Sequence, residues 1–429
     1  MSILSQFKQS QNTDFPNVRP SLDLRFALAK KLDPRITFTR GSTGTYFGSD
    51  GIMRTAGVNE PRFDHDPITG QSLGLLIEES RSNLYKNNTF QNVVVGNPGT
   101  APTNIYTFIA PSGISREIVS TGTENGITYI DIRYSGVTKT AGELSFGQSS
   151  TPVTGGQVVT ASAYLKVVGG SFSNISSLTI RVLDYNGASY ITESSSIAFS
   201  SYASGTTLQR YSHTRTTNAS ANSVIHSITL NGQSGVIDVT LRIGMPQLEV
   251  GSFTTSVIPT TANTTVTRSA DLAYMTGTNF SSWYNQTEGT LYANAKSNSN
   301  STIPTGLAAL NNSSSPTTNR VDLRYSQSGS SQTTLNGVGG GGFSIARTSG
   351  FSLTNPKFIV SYSSQNVNFC VNSSLISSRA SAFVPSPLVN RLLIGTFDAG
   401  ITYYLNGTIS RLTYYPIQLT NQQFINLTS

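Results

Sequence analysis

The chain has 429 residues, of which 37% are hydrophobic and only 11% are charged. Its 19 Tyr and 20 Phe exclude an intrinsically disordered chain, because disordered chains are rich in charge and poor in aromatic residues. The net charge is +7, yet the longest basic run is Lys30-Lys31, whereas a nucleic-acid groove concentrates basic residues on one face. We therefore expect no nucleic-acid partner.

The sequence carries no membrane-spanning segment and no export signal that we can identify. Its longest apolar run, Leu73 to Ile77, is far shorter than the roughly 20 residues that cross a bilayer. Residues 1–11 contain Gln, Ser and Lys8 where a secretory signal peptide needs an apolar stretch. We expect a chain that is made in the cytoplasm and does not insert into a membrane.

Residues 1–85 form a charge-dense first region with 19 of the chain's 49 charged side chains. This density predicts ion-paired structure that faces a partner. The turn Ser49-Asp50-Gly51 predicts a hairpin between Tyr46-Phe47 and Ile52-Met53. The neighbouring Glu78-Glu79 pair, followed by Arg81, favours ion pairing over a shared catalytic site.

Beyond residue 85 the hydrophobic residues recur with a period of two, which predicts strands; the stretch Ile237 to Ile243 is the clearest case. Turn signals such as Asn186-Gly187 separate the strands. We predict an all-β fold, with a jelly-roll β-sandwich at 86–250, a connector at 251–276 and a concanavalin A-like β-sandwich at 277–429. Thr420 and Gln423 predict a capping box that opens a C-terminal helix.

The common motifs of zinc, redox and nucleotide sites do not occur in this sequence. His-Glu-x-x-His, Cys-x-x-Cys and Walker patterns are all missing, and we predict no catalytic residue, no metal and no cofactor. We interpret His65, His213 and His226 as polar turn or surface residues, and Cys370 as an inert strand residue. Hydrolysis by two carboxylates stays open, because such residues can come from anywhere in a sequence.

Recognition of a glycan remains the main alternative to catalysis. Aromatic rings suit the C–H faces of sugars, and polar loops suit sugar hydroxyls. The last 150 or so residues are rich in aromatic side chains, most of which we assign to the core and edge strands. The members that we place in loops are the candidate glycan contacts: Trp283, Tyr284, Phe397, Asp398 and Tyr403.

Several segments resemble proteins of tailed-bacteriophage virions. The stretches LDPRITFTRGST at 32–43, PRFD at 61–64 and GLLIEESRSNL at 74–84 resemble a module of tail fibre and receptor-binding proteins. The stretches PQLE at 246–249 and VTRSAD at 266–271 resemble the joint that follows a carbohydrate-binding-module-like jelly roll in them. The stretch YLNGTISRLTYYP at 404–416 resembles the end of a concanavalin A-like, laminin-G-type sandwich.

This resemblance implies a virion location, attachment to other virion proteins through residues 1–85, and often a homotrimer. It supplies no catalytic residues. Our first hypothesis is a tail fibre or receptor-binding adhesin that binds host surface polysaccharide or lipopolysaccharide. The alternatives are an architectural fibre-adaptor or capsid-decoration protein without glycan binding, and a polysaccharide depolymerase.

Overall fold

The computed structural model describes residues 18–148, 150–201, 205–298, 305–314, 320–325, 331–336, 343–347, 356–380, 389–398 and 403–429. Over these ranges the fold is all β with three short helices, which confirms the predicted class. None of the helices in the described ranges is long and apolar enough to cross a membrane.

The elements follow one another in short steps along the chain. Residues 18–85 form Leu22–Leu24 (β1), Phe26–Ala29 (α1), Thr37–Thr39 (β2), Gly44–Phe47 (β3), Met53–Ala56 (β4), Phe63–His65 (β5), Ser72–Ile77 (β6) and Arg81–Asn83 (β7). Residues 86–250 form Ile105–Ile109 (β8), Ile114–Glu124 (β9), Ile127–Thr138 (β10), Gly142–Gln148 (β11), Thr151–Pro152 (β12), Val158–Gly170 (β13), Ile175–Asn186 (β14), Ser189–Phe199 (β15), Gln209–Thr216 (β16), Ser223–Gly232 (β17) and Gly235–Val250 (β18).

The remaining elements begin in the connector. They are Val266–Arg268 (β19), Leu272–Thr276 (β20), Thr278–Ser281 (α2), Gly289–Ser297 (β21), Thr305–Asn311 (β22), Arg320–Tyr325 (β23), Ser331–Asn336 (β24), Phe343–Arg347 (β25), Lys357–Tyr362 (β26), Asn366–Val371 (β27), Ser374–Ala380 (β28), Arg391–Ile394 (β29), Gly407–Tyr415 (β30) and Asn421–Thr428 (α3). Helix α3 has the predicted capping box, in which Thr420 accepts from the Gln423 backbone and Gln423 accepts from the Thr420 backbone.

The first sandwich consists of two antiparallel sheets from residues 105–250, with strand orders β16-β13-β18-β10-β9 and β15-β14-β17-β11-β8. Strand β12 pairs with β17 at the side of the second sheet. Ile237, Val239, Leu241 and Ile243 of β18 are buried, and the residues between them are partly exposed, so the period-two prediction is confirmed.

The second sandwich combines strands from both ends of the chain. One sheet has the order β28-β27-β26-β21-β30-β6-β5 with β1 also on β30, and the other has the order β2-β20-β29-β22-β23-β24-β25. Leu24, Phe26, Leu75 and Ile77 share one hydrophobic core with residues such as Leu291. The sheets therefore do not follow the predicted division at residue 85, because the apolar strands of the first region complete the second sandwich.

Two smaller ladders join these parts. Strands β3 and β4 form the predicted hairpin around Ser49-Asp50-Gly51. Strands β7 and β19 form a two-stranded ribbon between the first region and the connector, and the Leu84 amide next to it donates to the Leu248 carbonyl of β18 at 2.7 Å. The ribbon and this hydrogen bond tie the two sandwiches together.

Candidate functional site

The predicted glycan contacts Trp283 and Tyr284 lie in the second sandwich. Trp283 is only 4% exposed, its ring packs edge-on against Phe280 and Tyr414, and its Nε1 donates to the Asn279 carbonyl at 2.8 Å. Tyr284 is half-buried against the same core. Trp283 lies in the turn after α2, but its ring is buried, which corrects its assignment as a glycan contact, because a large apolar ring is more stable buried than exposed.

Of the other predicted contacts, Phe397 and Tyr403 lie in a different hydrophobic cluster, and Asp398 follows Phe397 in the chain. Phe397 is 2% exposed and stacks on Tyr403 with ring centroids 4.2 Å apart, while the guanidinium groups of Arg320 and Arg324 lie over its ring. Phe397 is thus a packing residue, which corrects its assignment too. Asp398 and Tyr403 are half-buried. The five predicted residues do not form one site.

A buried group of charged side chains joins the first region to the connector. We call it the arginine cluster; its members are Arg40, Arg62, Glu78, Arg268 and Asp271. Arg40 and Asp271 are 3.1 Å apart, Arg62 lies 2.5 Å from Asp271 and 2.8 Å from Glu78, and Arg268 lies 3.5 Å from Glu78. Removing one partner of such a buried pair leaves an uncompensated charge, which is strongly destabilising.

Glu78 is fully occupied within this cluster. Both of its oxygens accept hydrogen bonds from Ser256, one from the backbone N–H and one from the hydroxyl, each at 2.7 Å. Burial alone would raise the pKa of Glu78, but the charges of Arg268 and Arg62 and the Ser256 hydrogen bonds outweigh it and lower the pKa to about 2. The predicted ion pairing of the Glu78-Glu79 segment is therefore confirmed, since Glu79 also pairs with Arg81 at 2.5 Å.

Beside the arginine cluster, two adjoining cavities open between the first region and the first sandwich. The first, of about 340 Å³, lies against the β3–β4 hairpin, Asp64, Glu78 and connector residues 254–257. The second, of about 520 Å³, lies against the turn at 67–68 and residues 124–127 and 206–210. Phe47, Tyr164 and Arg210 line both cavities. We call the two cavities together the junction cleft.

Aromatic and aliphatic side chains pack together to form the apolar wall of the junction cleft. The rings of Phe47 and Tyr164 meet edge to face with centroids 6.5 Å apart. Met53, Ile127 and Val257 belong to the hydrophobic cluster that holds Tyr164 in place. A cavity of several hundred cubic ångströms with an aromatic wall and a few polar groups is typical of small-molecule and sugar sites.

Two carboxyl groups line the first cavity, those of Asp64 and Glu78. Glu78 is held in buried ion pairs, whereas no described cation lies within 4 Å of Asp64. It is half-buried, and its Oδ1 accepts the Phe47 backbone N–H at 2.7 Å. Burial raises the pKa of Asp64 to about 6, against the effect of that hydrogen bond. A carboxyl group with a strongly shifted pKa beside a cavity marks a candidate functional residue.

Arg210 is the one charged residue among the three that line both cavities. Its Nη1 donates to the Thr255 carbonyl at 2.6 Å and its Nη2 donates to the Ser162 hydroxyl at 3.0 Å, while its guanidinium carbon lies 5.8 Å from the centre of the Tyr164 ring. These contacts fix the guanidinium at the point where both cavities meet. Of the residues the structure describes, no carboxylate lies within 4 Å of it.

The three histidines are buried, which corrects their assignment as surface or turn residues. His226 is fully buried, and its ring lies edge-on to Tyr85 with centroids 5.4 Å apart. Burial lowers the pKa of His226 to about 3. His213 bonds to the hydroxyls of Ser194 and Ser196, each at 2.7 Å. No group of three or more potential metal ligands occurs among the described residues.

Few features of the sequence indicate the junction cleft. Asp64 and Glu78 fall within the segments that resemble virion proteins, so a search limited to those segments would have included them. Tyr164 and Arg210 lie on separate strands of the first sandwich, β13 and β16, in stretches without any motif. Only the three-dimensional structure brings them to the same cavity wall.

Comparison with known proteins leaves the family open. No family model and no curated protein matches the chain. Among solved structures, a carbohydrate-binding module (CBM40) of the Ruminococcus gnavus IT-sialidase is 18% identical, covers 35% of this chain and 88% of its own, and has a TM-score of 0.31.

Two further solved structures are similar over a comparable share of the chain. The leech intramolecular trans-sialidase is 19% identical over 34% of this chain and 23% of its own, with a TM-score of 0.30. The receptor-binding domain of botulinum neurotoxin mosaic serotype C/D is 12% identical over 37% and 39%, with a TM-score of 0.27. At such low scores these similarities carry no inference about what this chain binds.

Proposed function

We propose that this protein is a virion adhesin of a tailed bacteriophage, of the tail fibre or receptor-binding type, and that it binds a host cell-surface glycan in the junction cleft without cleaving it. The observation that carries the proposal is the cleft itself, in which an aromatic wall at Tyr164 meets hydrogen-bonding groups at Asp64 and Arg210. Sugars offer a matching combination of apolar C–H faces and hydroxyls.

The arginine cluster links the cleft to the segments that resemble virion proteins. All five of its residues lie in the segments that resemble those proteins. Because the cluster is buried, it fixes the wall of the cleft on the side of the first region. A fixed wall lowers the entropy cost of binding a flexible oligosaccharide.

Multimeric display completes the proposal. A shallow sugar site with millimolar affinity contributes roughly 4 kcal/mol, which does not hold a particle on a cell. Linked copies raise the overall avidity by about 10²–10⁴ without any new contact. We therefore propose a homotrimer on the virion. Light scattering of the purified chain tests it: three times the monomer mass supports the trimer, and a monomer at micromolar concentration contradicts it.

The glycan-binding proposal is tested with the full chain on an array of bacterial surface polysaccharides and lipopolysaccharides. Thr207→Trp places a bulky ring at an exposed position of the cleft wall. Thr216→Trp makes the same change at an exposed position of β16 outside the cleft and serves as the control. We expect Thr207→Trp to weaken binding at least about tenfold, or roughly 1.4 kcal/mol, and Thr216→Trp to leave it unchanged.

Two other outcomes would assign a different function. A chain that binds no glycan on the array but stays on the intact virion would be an architectural protein. Release of reducing ends from a bound polysaccharide would make it a depolymerase, for which Asp64 and Glu78 are the carboxyl groups of the first cavity. We expect no release, because the oxygens of Glu78 are occupied by Ser256 and Arg62 and are not free to act on a sugar.

A further inference from the structure

Five charged residues line the junction cleft, and three of them, Glu78, Glu124 and Lys166, are held in ion pairs. Lys166 lies 2.8 Å from Glu124, and Arg242 behind it lies 2.8 Å from Asp131. Glu78 is paired within the arginine cluster. Each of these groups is therefore neutralised by a fixed partner before any ligand arrives.

Two charged groups of the cleft have no such partner. No described carboxylate lies within 4 Å of Arg210, and no described cation lies within 4 Å of Asp64, although both line the first cavity. Arg210 has five N–H donors, of which Thr255 and Ser162 use two. Its Nε is buried without an acceptor among the described residues, which is unfavourable for a donor removed from water.

The chemistry of these two groups defines a complementary ligand. A guanidinium prefers a carboxylate, with which it forms charge-assisted, often bidentate hydrogen bonds. An ionised carboxylate such as Asp64 only accepts hydrogen bonds, so it prefers a hydroxyl donor. A sugar that carries a carboxylate has both, and its ring suits the apolar wall at Tyr164 and Phe47.

We propose that the junction cleft recognises an acidic saccharide, with Arg210 pairing with the sugar carboxylate and Asp64 accepting a sugar hydroxyl. This inference rests on the proposed glycan-binding function and narrows its ligand class. The carboxylate lies where the two cavities meet, and the rest of the oligosaccharide extends into the larger one, along residues 206–210.

The test uses the full chain and matched pairs of ligands. Oligosaccharides of hexuronates and of sialic acids are presented together with the same compounds after chemical reduction of their carboxyl groups to alcohols. We expect binding to members of the carboxylate series and at least about tenfold weaker binding to their reduced partners, since charge-assisted bonds are roughly twice as strong as neutral ones. The two series show whether a uronate or a sialic acid is preferred.

Variants of Arg210 assign the effect to this side chain. Arg210→Gln removes the charge, and Arg210→Lys keeps it without the planar fork. Lys139→Gln removes the same charge at an exposed position outside the cleft and controls for the general attraction of a basic protein to anions. We expect a loss of at least about tenfold for Gln, a smaller loss for Lys and less than about twofold for the control. Thermal melting of each variant establishes that it is folded.

The outcomes separate this inference from the function on which it rests. If reduced and acidic sugars bind equally, or if a folded Arg210→Gln variant discriminates between them as the wild type does, glycan binding stands and the acidic ligand is overturned. If neither series binds, the acidic-saccharide site is overturned. The polysaccharide array then decides separately whether glycan binding fails as well.

Discussion

Asp64 and Glu78 carry the same functional group and line the same cavity, yet the fold moves their pKa values in opposite directions. Burial raises the pKa of Asp64 to about 6, and its backbone hydrogen bonds and the charge of Arg62 offset this effect only in part. Burial acts on Glu78 as well, but Arg268 and Arg62 reverse its effect and lower the pKa to about 2. Glu78 therefore stabilises the fold, whereas an ionised Asp64 destabilises it.

This difference predicts that removing the charge of Asp64 raises the stability of the protein and weakens its binding of the glycan. Its folded pKa is higher than that of the unfolded chain, so its contribution to stability is complete below about pH 3.8 and is lost as the pH rises through 6. Asp64→Asn keeps an acceptor for the Phe47 amide and removes the charge. We expect its melting temperature to exceed that of the wild type by a few degrees at pH 8, with a much smaller difference at pH 4.

The same variant should bind the glycan less well, because a neutral amide accepts a hydroxyl hydrogen bond more weakly than a carboxylate does. Differential scanning calorimetry and titration calorimetry measure the two properties on one sample. A variant that is less stable than the wild type at pH 8 would show that Asp64 has a structural role.

For His226 we predict the opposite pH dependence of stability from that of Asp64, with a loss of stability in acid. Its folded pKa of about 3 lies below that of an unfolded histidine, near 6.5, so the folded protein loses stability as the pH falls from about 6.5 towards 3. Neither ring nitrogen has a hydrogen-bond partner among the described residues. His226→Phe keeps an aromatic ring against Tyr85 and removes both nitrogens.

We expect His226→Phe to raise the free energy of unfolding by about 1–3 kcal/mol near pH 7, because it removes unsatisfied buried polar atoms. The gain should grow at pH 5, where an unfolded histidine is already protonated. Urea unfolding at the two pH values measures it, and a gain that is the same at both would contradict the proposed protonation effect.

At the scale of single elements, the pairing of β6 with β30 requires a glycine. Gly74 has a φ of +100°, and a β-carbon built there would overlap the carbonyl group of Ile409 on the neighbouring strand. Gly74→Ala should therefore push the two strands apart and destabilise the protein by about 1–3 kcal/mol. Urea unfolding measures the loss.

A matched substitution at an open turn gives the control for this element. Gly187 also has a positive φ, of +59°, but nothing lies within 4 Å of a β-carbon built there. Gly187→Ala should therefore show only the backbone strain, without the clash. Equal losses for the two variants would show that the close approach of β6 and β30 is not what requires the glycine.

Local patterns were sufficient to predict several elements, and the reasons are physical. The alternation of β18 reflects a sheet with one buried face, and the capping box of α3 and the hairpin of β3 and β4 depend only on neighbouring residues. The candidate glycan contacts were harder to predict, because an aromatic residue in a predicted loop has the same sequence pattern whether its ring is exposed or buried. Trp283 and Phe397 are buried, whereas Tyr164 lies on a strand that gave no functional signal.

At the scale of the whole molecule, long-range strand pairing decides the architecture. Strand β1 pairs with β30 across nearly the whole chain, with Leu22 opposite Tyr414. The turn at residues 49–51 predicts the hairpin of β3 and β4, but sequence patterns contain no information about such distant partners. The charge density of this region suggested an external partner, whereas the buried arginine cluster shows that several of these charges serve the fold itself.

This architecture predicts that the second sandwich cannot fold without the first region. A variant that lacks residues 1–80 keeps Tyr85 in the core of the first sandwich but loses β1, β5 and β6 from one sheet of the second sandwich and β2 from the other, which exposes the core around Leu291 and Tyr414. We expect the first sandwich at 86–250 to remain folded and residues 277–429 to become sensitive to protease. A fragment 277–429 that unfolds cooperatively by itself would contradict this prediction.

We propose that this protein binds a glycan in the junction cleft. A crystal structure of the full chain with the tightest-binding oligosaccharide from the array tests this proposal. We predict electron density for the sugar between Phe47, Tyr164 and Arg210, with a carboxylate on the Arg210 guanidinium. Density for the sugar elsewhere, for example at Asp398 and Tyr403 in the second sandwich, with the junction cleft empty, would contradict the claim.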